Sequence, residues 1–335
     1  MAVVGDALYK ACPFLIEMQE WYLFMKKTVQ SIRIHKHGKD WEYSVKYPFI
    51  FSFPFFICFF AFNLFPMIYS FYLSFHDWSG VGVKKFVGLN NYISIFTRDK
   101  IFWKSLLNTL FIMGISFPFA IILGLIIAAF LFNLKKLRTF FQTINFLPYI
   151  TTPVAIGLIF LFLFDRNTGI VNQLIEKFGP EGLNWLGNPK LAQLVIAFMV
   201  VWKYTGYYMA LYLAGMTSIS NDIYEAAKVD GAGPVKTFFS ITLPLLKPIN
   251  IFIIVTSLIG GLQLFDEPNL MFNVSTTSII GGPQRSCLTM IWNFYDVAFG
   301  STARLGYGSA VAVCIFIVIL IISIVGLKFM AGKDA

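Results

Sequence analysis

Six long apolar runs limit what this chain can fold into. They lie at about 49–75, 106–132, 140–164, 191–216, 249–272 and 309–330, each near or above the roughly 20 residues that a helix needs to cross a bilayer. In hydrocarbon the backbone must satisfy its own hydrogen bonds, so such runs are expected to be helices. Composition agrees. Hydrophobic residues make up 57% of the chain and charged residues 13%, against about 25% charged in soluble domains. Pro54, Pro66, Pro118, Pro148 and Pro153 would break soluble helices, but membrane helices tolerate proline where neighbours take up the freed carbonyls. A packed, all-α, polytopic bundle is therefore predicted.

The net charge of +9 does not indicate nucleic acid, because the basic residues are spread over loops and form no stripe. They suit the edges of a membrane, facing anionic lipid. Cys12, Cys58, Cys287 and Cys314 share no metal-ligand spacing, so no metal is expected. Residues 1–47 lack a cleavable signal pattern. Within them, apolar and charged residues interleave from Pro13 to Ile32, as in a helix lying on a membrane surface or docked on its own protein. With six spans both termini share a side, and that side holds about 15 lysines and arginines against about 10 on the other. Both termini are thus expected in the cytoplasm.

The loop at 217–247, on that same side, carries the stretch EAAKVDGAGPVKTFFSITLP. Its glycines and Lys236-Thr237 suggest a phosphate-binding loop, but Val235 precedes the lysine where a glycine is needed. Pro234 lacks an N–H, and the preceding run is helical in pattern instead of strand-like. The stretch reads instead as a short helix starting near Asp222, where Asp222-x-x-Glu225 is close to a capping box. Ala226 and Ala227 leave a smooth face that another protein can approach closely. Gly231 and Gly233 with Pro234 end the helix and turn the chain.

Glu225-Ala226-Ala227, Asp230-Gly231-Ala232 and Ile241-Thr242-Leu243-Pro244 resemble the EAA loop of binding-protein-dependent ABC importers of bacteria, in the version found in the carbohydrate, maltose-type permeases. FVGLNNYISIF (86–96), LPYITTPVAIGLIF, GGLQLFD, Gly281-Gly282-Pro283 and LGYGSA match that branch in order and spacing, from about Tyr47 onward. The resemblance implies the six-span transmembrane domain of a type I importer in the bacterial inner membrane. It implies that the EAA helix docks on a cytoplasmic ATPase subunit, and that two such ATPases bind the ATP and Mg. An external binding protein would deliver a sugar or oligosaccharide into a cavity between this chain and a second permease subunit, and alternating access would carry it across. This chain would bind no cofactor and catalyse no reaction. Docking would fall to Glu225, Ala226, Ala227, Asp230, Gly231, Ala232, Leu243 and Pro244.

Polar residues inside spans are costly in lipid and usually face a cavity, which makes them candidates for the sugar path. Gln263, Asp266 and Asn269 recur at three-residue steps, so on one continuous helix they would share a face. Trp202, Tyr204 and Tyr208 offer aromatic platforms for sugar rings. Asp266 or Glu267 could instead pair with Lys203, which occupies a position where this branch often has a bulky neutral residue. A secondary, ion-coupled sugar transporter is the alternative, but it would have internal repeats and no use for an EAA loop. A membrane enzyme would need a concentrated catalytic site, and none is visible.

Overall fold

The computed structural model describes residues 51–134, 136–179, 181–273 and 280–331. The interfacial segment expected at 1–47 lies outside the described residues. The chain divides after Tyr69 into two compact units. In the first, the helix that begins α1 (Phe51–Leu73) contains a wide π turn at Phe60–Leu64. That turn lies just before Pro66, whose ring would crowd the carbonyl four residues back in a regular helix.

In the second unit a two-stranded antiparallel ribbon, β1 (His76–Asp77) and β2 (Lys85–Phe86), leads into α2 (Asn90–Thr97) and the long α3 (Lys100–Asn133). Asp99 caps α3 by accepting from the N–H groups of Ile101 and Phe102, as an N-cap carboxylate should. Pro118 lies inside α3 without breaking it. Then follow α4 (Arg138–Ile150), α5 (Pro153–Leu163), α6 (Ile170–Glu176) and α7 (Pro189–Ser218). The remaining helices are α8 (Asn221–Val229), α9 (Lys247–Leu262), α10 (Asp266–Asn273), α11 (Met290–Phe299) and α12 (Leu305–Ala331).

The central helix is α7. It packs on α3, α4, α9 and α10, and its Val195, Ile196, Met199, Val200, Tyr208 and Met209 are buried. At Gly206 a Cβ would collide with the carbonyl of Asn145 on α4, so the two backbones touch where only glycine fits. The outer faces are as apolar as the core. On α3, Phe119, Leu123 and Phe130 are exposed while Ile112, Ala120 and Ala128 are buried, the pattern of a helix with lipid on one side and protein on the other.

Among the described residues, five helical segments are long and apolar enough to cross a membrane: Phe51–Leu73, Lys100–Asn133, Pro189–Ser218, Lys247–Phe272 and Leu305–Lys328. The run predicted as a continuous span at 140–164 is a broken pair instead, with α4 and α5 bent by 95°. Pro153 marks the break. Thr152 precedes Pro153 and is extended, with ψ 137°, because the proline ring disfavours helical backbone in the residue before it. Pro153 then starts α5 at its first position, where a missing N–H costs nothing. The run at 249–272 is also interrupted. Gln263 ends α9 and Asp266 begins α10.

Side-chain ties mark the two ends of this unit. At one end Tyr307 donates to Asp99 at 2.7 Å, Asn91 to the carbonyls of Ser74 and His76, and Lys104 to the carbonyl of Gln284. At the other, Tyr212 donates to Asn250 at 2.7 Å and the Tyr224 ring meets Phe132.

Candidate functional site

The EAA segment forms the nine-residue helix α8. The helix starts at Asn221, as expected near Asp222, but Asp222 is not its cap. Ser220 is the N-cap, accepting from the Asp222 N–H, and a serine hydroxyl satisfies this orphan donor well. Asp222 instead lies in the first turn and Lys228 in the last, each with the sign that the helix dipole favours. The C-terminus closes as expected. Gly231 has φ +74°; its N–H donates to the Lys228 carbonyl, and the Ala232 N–H reaches back to Ala227. This pair of bonds is the Schellman closure, which needs a left-handed residue at the position of Gly231.

The two alanines have different surroundings. Ala226 is exposed and Ala227 is buried, so Ala227 seats the helix on its own protein while Ala226 and Glu225 face outward. Tyr224 holds the seat from the same side, its hydroxyl 3.3 Å from that of Thr242. Past the turn the chain runs through helical turns at Pro234–Thr237, Phe238–Thr242 and Leu243–Leu245. The middle one is a π turn, placed just before Pro244 as the other precedes Pro66. Asp230 and Pro244 are exposed, and Ala232 and Leu243 are half-buried. Around α8 the apolar side chains Val229, Val235 and Phe239 are 87%, 71% and 61% exposed. This rim was not foreseen, because single apolar residues in a loop carry no periodic signal of the side they face.

The second site is a cavity of about 420 Å³ lined by Lys203, Tyr204, Gly260, Gln263, Leu264, Phe265, Asp266, Glu267 and Ile291. The break between α9 and α10 builds it. By leaving the helix at Gln263, the chain exposes both Gln263 and Asp266 to this space. The 16 residues of α9 rise about 24 Å from Lys247, which puts the cavity in the half of a ~30 Å bilayer away from α8. Lys203 and Glu267 form an ion pair at 2.7 Å, with side chains 9% and 5% exposed. Of the two carboxylates proposed as partners for Lys203, Glu267 is the one that pairs. Among the described residues Asp266 has no ion-pair partner.

The predicted sugar path is thus only partly assembled in one place. Gln263, Asp266 and Tyr204 share the cavity. The expected common face of Gln263, Asp266 and Asn269 does not exist, because the helix breaks between the first two. Asn269 is half-buried and is not among the residues lining the cavity. Trp202 lines a different hollow with Asn145, Pro148 and Gly206. Tyr208 is buried in the core, in a ring cluster with Tyr204 and Tyr207.

A clamp on the loop after α10 was not anticipated. Asn108 donates to the carbonyls of Arg285 and Leu288, Gln193 donates to Asn108 and to the carbonyl of Ser286, and Thr109 accepts from the Met290 N–H. The loop requires it, since Gly281, Gly282, Gln284 and Arg285 all have positive φ. Amides at 108 and 193, within spans, were the available signal.

Residues 120–330 match the family described as binding-protein-dependent transport system inner membrane component. The chain belongs to this family. It is 32% identical to the arabinooligosaccharides transport system permease protein AraP of Bacillus subtilis, over 87% of this chain and 90% of that one. It is 35% identical to the lactose transport system permease protein LacF of Rhizobium radiobacter, over 82% and 90%. The fold matches, with a TM-score of 0.73 at 23% identity over 88% of this chain and 97% of the other, a bacterial ABC transporter involved in the import of the acidic polysaccharide alginate. The resemblance read from the EAA loop is therefore borne out. This is a multi-pass membrane permease subunit, and its relatives are transporter permeases instead of enzymes.

Proposed function

We propose that this permease carries a sugar or oligosaccharide inward across the bacterial membrane by alternating access, driven by ATP hydrolysed in partner subunits. The observation that supports this reading most directly is the build of α8. It is capped at both ends, seated through Ala227 and Tyr224, and presents Glu225, Ala226 and Val229 outward. A short rigid helix with a smooth outer face transmits a push, whereas a floppy loop would absorb it. Two ATPase subunits would hold the ATP and Mg and receive α8. A second permease subunit of the same family would complete the path, and an external binding protein would deliver the cargo. The bias of basic residues supports a cytoplasmic side for α8 and both termini. Sugar as cargo rests on the names of the relatives and on a cavity that combines a tyrosine ring, an amide and a carboxylate.

The test is hydrolysis and transport by defined preparations. Purified alone, the chain is expected to hydrolyse no ATP above background. Reconstituted with its ATPase, second permease and binding protein, it is expected to support ATP-dependent sugar uptake. Robust hydrolysis by a preparation proven free of the ATPase would overturn this reading.

Gln263 provides a finer test. Its exposed amide faces the cavity and can bond sugar hydroxyls, each such bond contributing about 1 kcal/mol. Gln263→Ala is expected to weaken uptake at limiting sugar severalfold, with co-purification of the ATPase unchanged. Uptake at the wild-type level across Ala substitutions of Gln263, Asp266 and Tyr204 would place the sugar path elsewhere.

A further inference from the structure

The fold neighbour is involved in the import of an acidic polysaccharide, while the two relatives are named for the transport of arabinooligosaccharides and of lactose. Fold and family therefore leave the charge of the cargo open. The cavity wall bears on it. Its basic residue is Lys203, and that charge is taken up by Glu267 at 2.7 Å. Both side chains are almost fully buried, so the pair presents no free ammonium to a ligand. The third charged residue, Asp266, is exposed to the cavity and lacks an ion-pair partner among the described residues. This chain's share of the wall thus has a net charge of −1 in a space that is otherwise Gln263, Tyr204, Gly260 and apolar side chains.

From this arrangement we infer that the cargo is an uncharged saccharide, recognised through hydroxyls, and that anionic sugars and sugar phosphates are rejected. The inference rests on the proposed sugar path. An ionised carboxylate accepts well from neutral hydroxyls, which an uncharged sugar supplies in quantity. It repels a carboxylate or phosphate within a few ångströms, and more strongly in a partly dry cavity than in water. Like-charge juxtaposition of this kind gives specificity by exclusion.

The wall's charge can be read without knowing the sugar. In the full complex, with Cys12 and Cys58 replaced by alanine, Gln263→Cys places a thiol at the wall. Its labelling rates with an anionic and a cationic methanethiosulfonate reagent of similar size are compared with those of free cysteine. The cationic reagent is expected to gain at least about tenfold over its advantage at free cysteine. Asp266→Asn should remove most of that gain, and Asp266→Lys should reverse it. Arabinotriose, lactose and maltotriose are then offered as neutral protectants of the thiol, and trigalacturonate and glycerol 3-phosphate as anionic ones. The inference is supported if at least one neutral saccharide protects and neither anion does. Labelling ratios equal to those of free cysteine, or equal protection by an anion, overturn it. A shifted ratio with no protection by any saccharide overturns the sugar-path reading beneath it.

Discussion

Replacing Gly231 by valine is expected to abolish ATP-dependent uptake while the bundle still folds and inserts. Gly231 lies at φ +74°, and a Cβ built there meets nothing within 4 Å. The penalty is therefore one of backbone conformation and not of collision. Left-handed backbone costs an ordinary L-residue about 1–2 kcal/mol, and a β-branched side chain tolerates it least. Valine would break the closure in which the Gly231 and Ala232 N–H groups meet the carbonyls of Lys228 and Ala227, and the end of α8 would fray. About 1.4 kcal/mol already corresponds to a tenfold loss of a docked population. Two controls make the cause visible. Gly231→Asn should restore much of the activity, because asparagine enters the left-handed region more readily. Gly233→Val should be mild, since Gly233 has φ −69° and open space around its Cβ. The measurement is uptake by proteoliposomes beside co-purification of the ATPase. Wild-type uptake by Gly231→Val would show that the closure of α8 has no part in coupling.

The second large effect is expected at the ion pair. Lys203→Met alone leaves Glu267 buried without its partner, and breaking a buried pair on one side typically costs about 3–5 kcal/mol. Replacing both residues by methionine removes the stranded charge, and apolar substitutes for a buried pair are often neutral or stabilising. Thermal unfolding of the solubilised complex should therefore fall sharply for Lys203→Met and recover for the double variant. Equal stability of the two would mean that water reaches Glu267 and that the pair is not shielded. The comparison matters for function, because Lys203 on α7 and Glu267 on α10 hold together two sides of the cavity. A loss of uptake that persists in the stable double variant would assign the pair a role in transport beyond holding the fold.

Much of α8 was legible because its signals are local. The glycine after an alanine-rich turn and the prolines beyond it act through the backbone of their own neighbourhood, so Gly231 adopts the positive φ expected of it. Choices of partner were less legible. Asp222 and Ser220 are both good caps, and the selection of Ser220 follows from where α7 stops, at Ser218. Ala226 and Ala227 are equivalent in sequence, and only the seat of α8 decides which is covered.

The sequence alone determined the solvent and the class of fold. Runs of twenty or more apolar residues have few structures open to them in lipid, since every backbone polar group must be paired within the chain. The EAA loop likewise announced its family by identity of residues, without reference to contacts. Tertiary structure decided where two of the runs break. Proline permits a helix to continue, as at Pro118, or to end, as before Pro153, and the outcome depends on the neighbours available to satisfy freed carbonyls and to cover a new surface. The break after Gln263 lies just before Pro268, whose ring would crowd the Leu264 carbonyl in a continuous helix, and it turns Gln263 toward a cavity. The pairing of Lys203 with Glu267 in preference to Asp266 is of the same kind. Adjacent residues differ by about 100° around a helix, so the angle at which α10 meets α7 determines which carboxylate is buried with the lysine and which faces the cavity.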